Sequence, residues 1–134
     1  MRSLRFARFW IALWLLAIGV VIALSLLPPI NLSVPVKEGD KLLHLLGYAL
    51  LMASAVQLFE RPRVLLLIAL CLAGLGLLLE FGQGALTTTR QFEWQDALAN
   101  AAGVLLGALT APTPAARLLQ TLFPPQGAGH SSGQ

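Results

Sequence analysis

Asp40, His44 and Tyr48 recur every fourth residue in "DKLLHLLGY", residues 40–48, with Lys41 beside the first. On a helix that spacing puts a carboxylate, an imidazole and a phenol on one stripe. A second polar pair, Glu80 and Gln83, has i, i+3 spacing, and a third, Asp96 and Asn100, has i, i+4 spacing. Arg90 lies between those pairs in "TTTRQFEWQ". This inventory suits acid–base work on an anionic substrate. His44 or Glu80 would be the base, and Arg90 would grip a phosphate or carboxylate. Asp40, His44, Glu80 and Asp96 are also donors that a divalent metal accepts, although no metal-ligand motif assigns one and no cofactor is called for. Familiar catalytic signatures are missing: there is no His-Glu-x-x-His and no Gly-x-Ser-x-Gly. Ser25, Ser33 and Ser54 have no base placed near them. Cys71 is the single cysteine, which excludes an internal disulfide and a thiolate metal cluster.

Each residue also has a purely structural reading. Asp40 and Asp96 suit helix caps, and Lys41 suits a snorkelling interfacial residue. His44 suits a hydrogen-bonded packing residue, and Tyr48 an interfacial aromatic. Asn100 suits interhelical glue, and Gly103 and Gly107 suit a close helix contact. Glu80 is harder to explain this way, because an ionisable group inside an apolar span costs a few kcal/mol, about 3 on insertion scales, unless it is used or paired. Nor does any of these readings explain why all the polar groups fall at one depth.

The elements that position them are set by composition. Of the 134 residues, 57% are hydrophobic and 11% charged, against about 25% charged in soluble domains. That balance takes a bilayer as solvent. Prolines and charges cut the chain into four apolar segments, with expected spans at about 10–27, 42–59, 64–82 and 95–111. Backbone groups in lipid must be satisfied within each span, so all four are helices. The expected fold is therefore all-α, a polytopic four-transmembrane-helix bundle over residues 1–112. A short amphipathic stretch, "AARLLQTLF", and a disordered tail then occupy 113–134. The first segment has basic residues and an apolar run like a signal peptide, but the run exceeds the usual h-region of about 7–15 residues and is read as a retained helix.

Orientation follows the positive charges. With the N-terminus inside, Arg2, Arg5, Arg8, Arg61, Arg63 and Arg117 are cytoplasmic, and Lys37, Lys41 and Arg90 are outside. The excess on the first side places both termini in the cytoplasm. Glu38, Asp40, Glu80, Glu93 and Asp96 then all fall on the outer side. Trp10 and Trp14 mark the inner interface, and Phe92 and Trp94 the outer one.

Arranged in this order, the residues resemble the VanZ-like membrane proteins. The resemblance lies in "DKLLHLLGYALL" and "EFGQGALTTTRQFEWQDALANAAGVLLG". The family pattern is similar to D-K-x-x-H-x-x-x-Y, then E-x-x-Q, then an Arg, then D-x-x-x-N-x-x-G-x-x-x-G. It falls here on Asp40, Lys41, His44 and Tyr48, on Glu80 and Gln83, on Arg90, and on Asp96, Asn100, Gly103 and Gly107. One departure is Thr87-Thr88-Thr89 before Arg90, where family members often carry Pro-Gly. The resemblance covers roughly residues 10–111. It implies a multi-pass protein of the bacterial inner membrane, in a family whose founding member is associated with resistance to the glycopeptide teicoplanin.

Three functions remain open from the sequence. The first is an outer-leaflet site that binds or modifies an envelope lipid or glycopeptide-like ligand. The second is an accessory membrane protein whose polar cluster locks helix packing. The third is a small transporter, disfavoured because the inner halves of the helices, such as 65–79, are nearly featureless. The expected partners are the lipid bilayer and that ligand, with a homo-oligomer left open. Nucleic acid is not expected, because the nine Lys and Arg form no basic block.

Overall fold

The computed structural model describes residues 2–26, 39–86 and 93–125. Arg90, the "TTT" before it, Phe92, Lys37, Glu38 and the 126–134 tail lie outside the described residues, as does the Asp40 side chain.

The described chain is helical: α1 (Ala7–Leu26), α2 (Gly39–Leu58), α3 (Pro62–Leu86), α4 (Trp94–Ala108), a 3-10 turn (Pro114–Arg117) and the short α5 (Leu118–Leu122). Three of these helices, over Ala7–Leu26, Lys41–Leu58 and Pro62–Ala85, are long and apolar enough to cross a membrane. Their outer faces are apolar too. Leu16, Leu43, Leu50, Leu67, Leu70 and Leu78 are all more than 60% exposed. In water such a surface would aggregate; in lipid it is the solvated face. This is the surface of a membrane protein.

Helix boundaries follow from local chemistry. Pro62 opens α3 at a position where its missing N–H is no loss, so α2 and α3 are joined by a tight connection at 59–61. α4 has 15 residues, about 22 Å of rise, and ends at Ala108, three residues before the expected 111. Pro112 disfavours helical geometry in the residue before it, and the chain turns instead. The turn is satisfied internally: Thr110 Oγ1 donates to Gly107 O at 2.7 Å and Thr113 Oγ1 to Thr110 O at 2.7 Å.

Side-chain contacts fix the directions. Glu93 at the start of α4 meets Lys41 at the start of α2, and Gly103 and Gly107 lie against α2 at Leu45–Ala53. Helices α2 and α4 therefore run parallel and form the tightest pairing in the bundle. From Lys41 to Gln57, α2 rises about 24 Å. Over that same depth the chain runs from Glu93 through α4 and the threonine turn to Ala115, whose carbonyl accepts from Gln57 Nε2. Helices α1 and α3 run the opposite way. Trp14 Nε1 donates to Leu51 O at 2.9 Å, and Gln83 Nε2 donates to Ser25 O at 2.7 Å.

Lipid tails are as apolar as leucine, so helices in lipid are held by close contact rather than by expulsion of apolar surface. The core is centred on α2, where Ala55, Val56, Met52 and Leu51 are buried beside Leu72 of α3 and Val104 of α4. A Cβ on Gly107 would stand 2.7 Å from Met52 Cβ, and one on Gly103 would collide with the Leu45 carbonyl oxygen. Glycine at both positions is what lets the two backbones approach. Helix α1 has no fully buried residue and sits at the edge of the bundle.

Both described ends of the chain meet at one end of the bundle. Arg2 N donates to Leu58 O at 2.9 Å, and Arg5 N to Phe123 O at 3.3 Å. Ring contact between Trp10 and Phe123, with centroids 5.2 Å apart, closes the same end.

Candidate functional site

The opposite end carries the polar groups. Lys41 and Glu93 form its rim, with Nζ and Oε2 3.9 Å apart and both side chains substantially solvent-exposed. One turn deeper, α2 supplies His44, α3 supplies Glu80, and α4 supplies Asp96 and Asn100. These are not surface groups. Glu80 and Asn100 are each 1% exposed and Asp96 6%.

The spacing along each helix explains the convergence. His44 lies one turn inward from Asp40, and Asp96 falls in the first turn of α4, where an acid interacts favourably with the helix dipole. Asn100 follows Asp96 by one turn on the same face. Glu80 lies six residues before the end of α3, at the level where α2 and α4 begin. A ring nitrogen of His44 and one carboxylate oxygen each of Glu80 and Asp96 all lie within 4.8 Å of one another.

His44 Nδ1 is 3.0 Å from Asn100 Oδ1 and 3.8 Å from Glu80 Oε1. An amide oxygen only accepts, so with the amide in this orientation Nδ1 carries the proton and donates it to Asn100. The Tyr48 hydroxyl lies one turn below His44, on a residue 2% exposed, and within electrostatic reach of Glu80. Among the described residues, neither Tyr48 Oη nor Asn100 Nδ2 has a hydrogen-bond partner.

Not every polar residue singled out by spacing enters this group. Lys41 stays on the rim with Glu93. Gln83 is buried, at 2% exposure, and reaches across to α1, where it satisfies the Ser25 carbonyl near that helix's open end. Arg90 lies outside the described residues.

Compared with known proteins, the chain matches no family model, no curated protein and no solved structure.

The site also depends on a residue that its own type did not advertise. A Cβ on Gly76 would stand 2.9 Å from both Cβ and Nδ2 of Asn100. Gly76 is one turn before Glu80 on α3, so its missing side chain makes room for the Asn100 amide under the carboxylate. In the sequence it is one more glycine in "LAGLGLLLE". The signal that could have found it is its i−4 spacing from Glu80, which puts it on the same helix face.

Chemically the arrangement is an imidazole in contact with an amide, two carboxylates and a buried phenol, enclosed by three helices. Such a group can hold a cation, exchange a proton with a bound ligand, or do both. Below Tyr48 the core passes to Leu51, Met52, Ala55, Val56 and Leu72. Among the described residues that core layer offers no polar continuation toward the other end.

Proposed function

We propose that this chain is a VanZ-like multi-pass protein of the bacterial inner membrane that binds or modifies an envelope lipid or glycopeptide-like ligand. The ligand would enter from the outer leaflet at the His44–Glu80–Asp96 group. In this reading the chain crosses the bilayer four times, with both termini cytoplasmic. The match in depth between α2 and the run from Glu93 to Ala115 supports a fourth crossing, made by a short helix and a turn. The excess of arginines at the end where the described termini meet supports the orientation.

The observation that carries the functional reading is the enclosure of an acid, an imidazole and a second acid from three helices within 4.8 Å. Ionisable groups at that depth are expensive and are kept where they act. The opposite end of the bundle, built from the same kinds of helix, has no such group among its described residues.

A packing role for the same residues is favoured by one specific observation, the tight fit of Gly76 against Asn100. The two readings separate on one experiment. The intact protein is purified in mild detergent beside Glu80→Gln, and co-purifying lipids are measured by mass spectrometry together with the yield of folded protein. The ligand reading expects one anionic envelope lipid class enriched on the native chain and lost from a well-folded Glu80→Gln. Equal lipid content in both, with a collapse of folded yield in the variant, supports the packing role instead. Any link to glycopeptide resistance belongs to the same proposal, and is tested by comparing teicoplanin susceptibility of cells carrying the native chain and Glu80→Gln.

A further inference from the structure

We propose that His44, Glu80 and Asp96 bind one divalent first-row metal ion, of the Mn²⁺-to-Zn²⁺ class, with Asn100 and Tyr48 serving the ion and the oxygen ligand it carries. This deepens the ligand reading above and rests on it in one respect: the group must be a binding site rather than a lock.

The first support is the donor set. One imidazole and two carboxylates, each from a different helix, present ligand atoms within 4.8 Å of one another. Three atoms spread evenly around one ion at about 2.1 Å stand no more than roughly 3.6 Å apart, so binding asks for about an ångström of contraction. Small side-chain rotations supply that. The mixture of nitrogen and oxygen donors selects against Ca²⁺ and Mg²⁺, which take oxygen alone, and for ions that accept imidazole.

The second support is independent of the donors. Asn100 Oδ1 lies 3.0 Å from His44 Nδ1, which is near the spacing of two donors sharing one ion at ~2.1 Å bonds. When Nδ1 ligates, its proton leaves and the amide oxygen becomes a fourth donor. When Nε2 ligates, Asn100 holds the Nδ1 proton, as the partner of a metal-bound histidine does. Either way the amide's Nδ2 and the Tyr48 hydroxyl remain as buried polar groups, on residues 1% and 2% exposed, with no partner among the described residues. Buried groups of this kind are kept satisfied in folded proteins. An oxygen ligand on the ion, from water or from a lipid phosphate, would accept from both.

Arg90 is the competing counter-charge, because a guanidinium folded into the same group would do without an ion. The test separates the two. Full-length protein in detergent is stripped with chelator and dialysed, then titrated with Mn²⁺, with free ion followed by electron paramagnetic resonance, and with Zn²⁺ by calorimetry. The expected result is one ion per chain. Binding should weaken about 100-fold or more in Asp96→Asn and His44→Ala, on the scale that even outer-shell changes can reach, and stay unchanged in Gln57→Ala. Circular dichroism and a thermal melt accompany each variant. Should His44→Ala or Asp96→Asn not fold, the native protein still decides, through nitrogen coupling from one imidazole in the bound-Mn²⁺ spectrum. No saturable binding overturns the proposal. Binding without nitrogen coupling, or binding gained only in Arg90→Ala, overturns it as well. Lipid content measured on the same samples keeps the two readings apart. Metal without selective lipid removes the lipid reading alone, and selective lipid without metal removes the metal alone.

Discussion

The two ends of this bundle use polar side chains in opposite ways. At the end where the described termini meet, most of them serve the backbone, the Gln120 Nε2 to Ser3 Oγ bond of 3.1 Å being the exception. Arg2 Nε donates to Val56 O at 3.2 Å, and Trp14 Nε1 donates to Leu51 O at 2.9 Å. Gln57 donates to Ala115 O and accepts from Leu119 N at 3.0 Å. Each bond satisfies a main-chain group or ties an incoming segment to α2. At the other end His44, Glu80, Asp96 and Asn100 face one another across three helices. A side chain spent on the backbone is structural by construction, because its partner is present in every membrane helix. Side chains gathered on one another, including two acids, raise an electrostatic cost that helix packing does not require.

The sharpest way to break the contrast is to damage what both ends share, the α2–α4 seam. Gly107→Val would drive a branched side chain into Met52 and the Ala49–Ala53 backbone. Overpacking typically costs about 1–3 kcal/mol, and a backbone clash falls at the upper end or beyond. Thermal unfolding in detergent should show a larger loss than Gln57→Ala or Glu80→Gln produces, and the polar site should be lost with it. A midpoint near that of the native chain would mean that α2 and α4 are not in close contact.

A smaller loss is expected from Gln57→Ala. It frees one carbonyl and one N–H, and each unsatisfied group costs about 1–3 kcal/mol when buried. Gln57 is partly exposed, and water recovers some of that. The expected outcome is a moderate fall in the unfolding midpoint with lipid and metal binding intact. Binding lost together with stability would show that the ends are coupled, and would weaken the distinction between them.

Much of this contrast is legible in the amino-acid order alone. The apolar runs and prolines set the order of helices, and the i, i+4 spacing of His44 with Tyr48 and of Asp96 with Asn100 sets the faces. What cannot be read there is tertiary. Gln83 shares a polar pair with Glu80 in sequence, yet it spends its amide on α1 at Ser25; a spacing of three residues turns the side chain about 60° around the helix, enough to reach a different neighbour. Gln57 carries no signal, because its partners lie 58 and 62 residues away. The early end of α4 follows from Pro112, but its completion by threonine hydroxyls depends on rotamers that no periodicity encodes. Gly76 is defined only by the Asn100 side chain it makes room for.

The proposed ligand site requires that the buried carboxylate end is kept for a ligand and not for stability. It is tested most directly by the thermal unfolding midpoint of chelator-treated Glu80→Gln against chelator-treated native protein in the same detergent. The amide keeps the shape and takes away the carboxylate; where that carboxylate holds a buried pair together, losing one partner costs about 3–5 kcal/mol. A site kept for a ligand gives a midpoint equal to or above that of the native chain. A fall larger than that of Gln57→Ala would contradict it, and would make the polar group a lock holding α2, α3 and α4 together.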